Sequence, residues 1–148
     1  MKIKILRAAP ENAEQIEQLE QECFSRPWSL KSVQELILNP DARVFVAMRR
    51  KKTVGYAGMM AAGDEGYITN VAVTADLRKR GIGKLLVSAL AAQAREERMR
   101  FITLEMRQSN LPAAALYTAC GFEPRGLRRG YYDNPTEDAV ILTRDFDY

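Results

Sequence analysis

The 148 residues contain no histidine and only two cysteines, Cys23 and Cys120, with no CxxC pair. Those residue types exclude a zinc site and Ser-His or Cys-His nucleophilic catalysis. A general base must therefore be a carboxylate, a tyrosine, a lysine or water. One carboxylate stands out. In "FITLEM", strict alternation puts Ile102, Leu104 and Met106 on one face of a strand and Phe101, Thr103 and Glu105 on the other. Glutamate is depleted in strands. Here it is either an edge charge facing water or a group placed for proton transfer.

A second stretch suits an anion. In "LRKRGIGKLLV", Leu77 to Val87, the cations Arg78, Lys79 and Arg80 precede Gly81 and Gly83, and an apolar run follows. A strand ends near Val73 and a helix begins near Gly81. The first turn of a helix has free N–H groups and a positive dipole end, and glycines let a ligand approach the backbone. A plain strand-to-helix turn with a solvated basic rim would read the same way. A Walker-type loop needs a glycine at position 78 and a hydroxyl residue at 85, where Arg78 and Leu85 stand; the dinucleotide fingerprint needs a glycine where Leu86 stands.

The elements that must position these groups follow from periodicity and punctuation. "KIKILRA" alternates as a strand. Pro10 opens a polar helix with Ile16, Leu19 and Cys23 on one stripe, and Ser29 caps a second helix carrying Val33, Leu36 and Ile37. "RVFVAMRR" and "TVGYAGMMAA" form a hairpin whose turn is the solvated run Arg49 to Lys52, and "GYITNVAVT" is a further strand. A helix then puts Ile82, Leu85, Leu86, Ala89 and Leu90 toward a core. After "RFITLEMR", Pro112 starts a short helix that stops at Gly121, and "RGLRRGYY" with "DAVILTRDF" closes the chain as a strand pair. This is an α/β order around one mostly antiparallel mixed sheet of about seven strands with about four helices on its faces.

Length allows one domain over residues 1–148. The charge balance, 22 cations against 19 anions, is mildly basic. The basic clusters, including Arg125, Arg128 and Arg129, lack interleaved aromatics except at Tyr131 and Tyr132, so no nucleic-acid partner is expected. The N-terminal stretch turns polar too soon for a signal peptide, and no apolar run could span a bilayer. The expectation is a cytoplasmic protein without a membrane partner, both cysteines reduced, Cys23 and Cys120 small and buried. Trp28 is expected to pack the first helical hairpin.

The pattern Arg78-x-x-Gly81-x-Gly83, after "NVAV" and before an amphipathic helix, resembles the acyl-CoA-binding motif of the GNAT N-acetyltransferases. "LEMRQSNLPAAALYTACGF", Leu104 to Phe122, resembles that family's downstream strand and helix. The likeness covers essentially the whole chain. A narrower likeness, to the RimI-type enzymes that acetylate the N-terminal alanine of a ribosomal protein, rests on "RPWS", "LEMRQSN" and "RRGYY" followed by "EDAVIL".

The resemblance implies the GNAT fold, with a splayed strand pair, and acetyl-CoA as co-substrate without a metal. Arg78, Lys79, Arg80, Gly81, Ile82, Gly83 and Lys84 would hold its pyrophosphate, Val71, Ala72 and Val73 would pair with its pantetheine arm, and Asn110 would be a polar contact. It further implies Glu105 as base, Tyr117 as the acid that meets the leaving thiolate, and Tyr131 and Tyr132 as lining for a peptide. An α-amine with pKa near 8 is about one-tenth neutral at pH 7, whereas a lysine is neutral in well under about one molecule in a thousand. A weak or water-relayed base therefore suffices for a protein N-terminus. Two alternatives stay open: acetylation of a small amine or lysine side chain, and a non-catalytic acyl-CoA sensor.

Overall fold

A computed structural model describes residues 1–148. The strands are β1 (Lys4–Arg7), β2 (Ala42–Arg49), β3 (Lys52–Ala62), β4 (Glu65–Val73), β5 (Phe101–Arg107), β6 (Glu123–Tyr132) and β7 (Glu137–Asp145). The helices are α1 (Ala13–Cys23), α2 (Leu30–Leu38), α3 (Ile82–Glu96) and α4 (Leu111–Ala119). Strands and helices follow one another along the chain in the expected order. The sheet runs β1-β2-β3-β4-β5-β7-β6. Only β4 and β5 are parallel neighbours, because α3 carries the chain across between them.

Local chemistry accounts for the boundaries. Ser29 caps α2 by accepting the Ser32 N–H at 3.1 Å. Pro10 opens a 3-10 turn, Pro10–Asn12, rather than α1 itself. At the end of α4, Gly121 takes φ +88 and donates to Thr118 O at 3.0 Å. No helix is long and apolar enough to cross a membrane.

Two cores sandwich the sheet. Helices α1 and α2 bury Ile16, Leu19, Val33 and Leu36 against Val44, Val46, Tyr56 and Ala72, with Trp28 packed alongside. On the opposite face, α3 buries Ile82, Leu86, Val87, Leu90 and Ala94 against β3, β4 and β5, and Tyr117 and Cys120 join from the α4 end. Three expectations need correction. Leu85 is 47% exposed, because Val87 and Ala91 rather than Leu85 continue the α3 stripe. Ala89 is only half-buried and is not part of the α3 core stripe. Cys23 is also half-buried; the core position at that turn of α1 belongs to Glu20.

Candidate active site

The centre of the sheet comes apart on one side of β4. Pairing between β4 and β5 covers three positions only, Glu65 with Phe101, Gly66 with Ile102 and Tyr67 with Thr103. Beyond Tyr67 the two strands diverge, while β4 stays paired to β3 as far as Val73. Gly66 permits the close approach before the split: a Cβ there would stand 2.8 Å from Ile102 Cγ2 and 2.9 Å from Met59 Sδ.

A bulge then re-aims β4. Gly58 pairs with Asn70 and Met59 with Ile68, so Thr69 is left without an opposite residue. The extra residue shifts the parity of the strand. Ile68 lies in the α3-side core, whereas Ala72, four residues on, lies in the α1–α2 core. Past the bulge, Thr74 N–H donates to Val54 O at 2.9 Å. Alternation along an antiparallel pair therefore turns the main-chain groups of Val71 and Val73 away from β3, toward the gap. The Val73 carbonyl is taken there by Arg78 Nε at 3.0 Å and by the Cys23 thiol at 3.5 Å. Val71 keeps an open edge.

At the mouth of this gap begins α3. Lys79 and Gly81 both have positive φ, +63 and +83, which bends the loop onto the helix axis. The first amide of the helix to find a main-chain acceptor is Leu85 N–H, on Gly81 O at 3.1 Å. The amides of Ile82, Gly83 and Lys84 make no main-chain hydrogen bond. These free N–H groups and the open strand edge fit a ligand with a pyrophosphate and a peptide-like arm. Gly83 serves packing as well, since its Cβ would stand 3.2 Å from Leu116 Cδ2 of α4. Lys79, Arg80 and Lys84 are exposed around the loop, whereas Arg78 folds back onto Val73 and Cys23. Asn110 caps α4, its Oδ1 accepting Ala113 N–H at 3.2 Å.

Glu105 sits where the strands part, on the α1–α2 face of β5. It is no edge charge facing water: its side chain is only 8% exposed. One carboxylate oxygen accepts the Tyr67 hydroxyl, and the other meets Arg128 Nε at 3.1 Å. Burial, followed by the hydrogen bond to Glu105, pushes Tyr67 above the ordinary tyrosine range, so its hydroxyl stays a donor. Tyr117 approaches from the opposite face. It is 8% exposed, packs edge-on against Phe122 at 5.6 Å, and its hydroxyl makes no hydrogen bond. Burial above all raises its pKa. Tyr132 is linked by charge to both groups. After burial and Tyr131, the Glu105 charge is the next cause raising its own pKa, and it in turn bears on Tyr117. Glu105 lies on the α1–α2 face of the sheet, and Tyr117 belongs to the core on the opposite face.

The outer wall is the β6–β7 hairpin. Tyr131 and Tyr132 pack edge-on at 5.0 Å, with the Arg107 guanidinium 4.6 Å from the Tyr132 ring. Arg107 also donates to Asp133 O at 2.8 Å and Pro135 O at 2.9 Å, which fixes the hairpin tip to β5. Glu137 accepts Ser109 N–H at 2.6 Å, and Ser109, through its side chain first and this amide second, holds the carboxyl below the usual range ahead of Arg107. Across the opening, Arg26 of the α1–α2 loop reaches Asp133 at 3.4 Å.

Sequence reasoning missed two groups. Tyr67 reads as an ordinary strand aromatic, and only the parallel pairing sets it beside Glu105. Glu20 reads as one of many polar residues in α1, yet it is 1% exposed. Its carboxylate accepts Trp28 N–H at 2.9 Å, Asn70 Nδ2 at 3.2 Å and the Tyr56 hydroxyl. One buried group therefore ties the α1–α2 loop to β3 and to β4 just past the bulge. Asn70 is turned by this bond so that its buried Oδ1 has no protein partner.

The acetyltransferase (GNAT) family matches residues 13–122. The ribosomal protein bS18-alanine N-acetyltransferase of Escherichia coli is 32% identical over 130 residues, covering 84% of this chain and 84% of that protein. The crystal structure of the ribosomal-protein-S18-alanine N-acetyltransferase from Escherichia coli superposes with a TM-score of 0.91 at 26% identity, over 99% of this chain and 96% of that one. An acetyltransferase from Bacillus anthracis in complex with acetyl coenzyme A shares the fold, with a TM-score of 0.83 at 20% identity over 99% of this chain and 100% of that one. A match across most of the chain, on a sheet that opens beside a helix terminus with free amides, identifies the chain as an enzyme belonging to the GNAT family of acetyltransferases, similar to the RimI type.

Proposed function

We propose that this enzyme transfers an acetyl group from acetyl-CoA to the α-amino group of a protein N-terminus, with the N-terminal alanine of ribosomal protein bS18 as its substrate. The whole chain acts as one domain. A ribosomal protein as substrate puts the reaction in the cytoplasm. The observation that carries the reading is the nearly buried carboxylate of Glu105 at the mouth of the strand gap, in a chain whose relative over 130 residues is named for that reaction.

Acetyl-CoA supplies the activated acetyl thioester. The amides of Ile82, Gly83 and Lys84, with the surrounding charges of Lys79, Arg80 and Lys84, hold its pyrophosphate; Arg78 acts by bracing the end of β4. The β4 edge at Val71 and Val73 guides the pantetheine arm, with Ala72 between them paired to Tyr56 of β3 rather than turned to the gap, and Asn110 fixes the start of the helix that carries Tyr117. Glu105 takes a proton from the attacking amine, directly or through water. Tyr67 orients the carboxylate by its hydroxyl bond. Tyr117, kept protonated by burial, donates a hydrogen bond to the sulfur as negative charge grows on it. Tyr131 and Tyr132 line the side from which the peptide enters. The tyrosine pair of the β6–β7 hairpin favours a peptide over a small amine, which needs a closed pocket.

The test follows thiol release from acetyl-CoA with a panel of acceptors: peptides starting with Ala, Ser, Met or Gly, peptides blocked at the N-terminus that carry a lysine, and small amines. Turnover with free N-terminal alanine peptides is expected. Turnover with small amines or blocked lysine peptides alone would overturn the acceptor.

A further inference from the structure

Glu105 is the carboxylate around which the site is built, yet both of its oxygens are already taken. Tyr67 holds one oxygen and Arg128 the other, the latter at 3.1 Å. With the Glu105 side chain only 8% exposed, an incoming amine can reach it only through the small surface these two partners leave. The two partners differ in how firmly they are held. Tyr67 belongs to β4 at the last paired position before the strands part. Arg128 stands on the edge strand β6, its side chain is 57% exposed, and the β6–β7 register breaks between Arg128 and Tyr132.

We propose that Arg128 is a displaceable counter-ion for Glu105: it caps the carboxylate in the acceptor-free enzyme, and the α-ammonium group of the acceptor takes its place. The inference rests on the N-terminal acetylation reading above. At neutral pH a primary α-amine arrives mostly as its ammonium form. A carboxylate oxygen can accept two donors, but an ammonium placed beside the guanidinium meets a like charge, and a side chain only 8% exposed leaves little surface for a second cation, so exchange is favoured over sharing. Exchanging cation for cation keeps Glu105 partnered throughout, whereas a blocked N-terminus brings no charge and leaves Arg128 in position. Arg128 thereby selects for a free amine. The exchange is easy because the guanidinium is already half in water and lies 5.8 Å from the Tyr131 ring, on which it can rest once released. The proton then passes from the ammonium nitrogen to Glu105, which leaves the nitrogen lone pair free for attack on the thioester.

Calorimetric binding of an octapeptide with a free N-terminal alanine tests this, with the protein saturated with coenzyme A, which has no acetyl group to give. Four proteins are compared: the unaltered chain, Arg128→Gln, Glu105→Gln and the double variant, each checked for a cooperative melting transition. Arg128→Gln is expected to tighten peptide binding by about threefold to fivefold, or ~0.7–1 kcal/mol, when Glu105 is present, and to change nothing when it is Gln. Weaker binding would make Arg128 a direct peptide contact and overturn the proposal. So would no change, and so would equal tightening in both backgrounds, which would mean that Arg128 obstructs by bulk alone. An unaltered enzyme that acetylates no free N-terminal peptide would overturn the reading beneath it. Normal turnover with a flat calorimetric cycle would overturn only the counter-ion.

Discussion

Replacing Glu105 by Gln keeps the shape of the side chain and removes its charge. The amide oxygen still accepts the Tyr67 hydroxyl. The lost partner is Arg128, whose guanidinium is 57% exposed and returns to water. An ion pair with one such exposed arm contributes about 1 kcal/mol or less, so the melting temperature should fall by no more than about 2–4 °C. Catalysis should suffer far more. A positioned base contributes about 10²- to 10⁴-fold, and the lower end applies here, because about a tenth of α-amines are neutral at pH 7 without help. The loss should depend on pH in a defined sense. With an amine pKa near 8, the neutral fraction rises from about 1% at pH 6 to about 90% at pH 9. Initial rates of thiol release with an N-terminal alanine peptide should therefore show the largest deficit at pH 6 and a shrinking one toward pH 9, with acetyl-CoA affinity unchanged. Rates equal to those of the unaltered enzyme across this range, or a loss of the same size at every pH, would refute Glu105 as the base.

Tyr117→Phe should slow single-turnover acetyl transfer by on the order of 10²-fold and leave melting within about 1 kcal/mol, since the hydroxyl makes no hydrogen bond in the fold; stopped-flow and thermal melts check both. Gly83→Glu should weaken acetyl-CoA binding in a calorimetric titration by setting a negative charge in the amide cradle. It should also cost about 1–3 kcal/mol of stability, because its Cβ would press on Leu116 Cδ2 at 3.2 Å. Glu97→Gln tests an acid-sensitive tie. Glu97 takes both Arg43 Nε and Nη2 at 2.7 Å, and Arg43, its foremost influence, holds its carboxyl below the ordinary range. A depressed folded pKa stabilises above the unfolded value near ~4.3 and loses that contribution as pH falls through the folded value. Glu97→Gln should thus lower denaturant stability by about 1 kcal/mol at pH 7, and the difference should vanish at pH values below the folded pKa.

Local patterns in the sequence carry the elements well, because each is decided by neighbours: the Ser29 cap, the Gly121 stop, the alternation of "FITLEM". The face of "FITLEM" opposite Ile102, Leu104 and Met106 is legible, and Glu105 is found on it. What periodicity does not carry is long-range pairing. Tyr67 meets Glu105 only because β4 and β5 run parallel for three positions, and nothing in "GYITN" announces that partner. Glu20 is hidden for the same reason. A helix glutamate reads as solvent-facing unless its three donors, from Trp28, Asn70 and Tyr56, are known to converge on it. Leu85 shows the opposite error, an apolar residue assigned to the core by type whose neighbour Leu86 occupies the inward position. The parity change at Thr69 is invisible in composition, yet it decides which β4 side chains face the acceptor side.

The central claim is α-amine acetylation of a ribosomal protein, and intact bS18 with a free N-terminal alanine tests it most directly. The protein is incubated with acetyl-CoA and this enzyme, then digested and sequenced by mass spectrometry. A single acetyl group on the N-terminal alanine, dependent on the enzyme and absent from every lysine, is the expected result. Acetylated lysines with an unmodified N-terminus, or an unmodified bS18 beside an enzyme that turns over small amines, would contradict it.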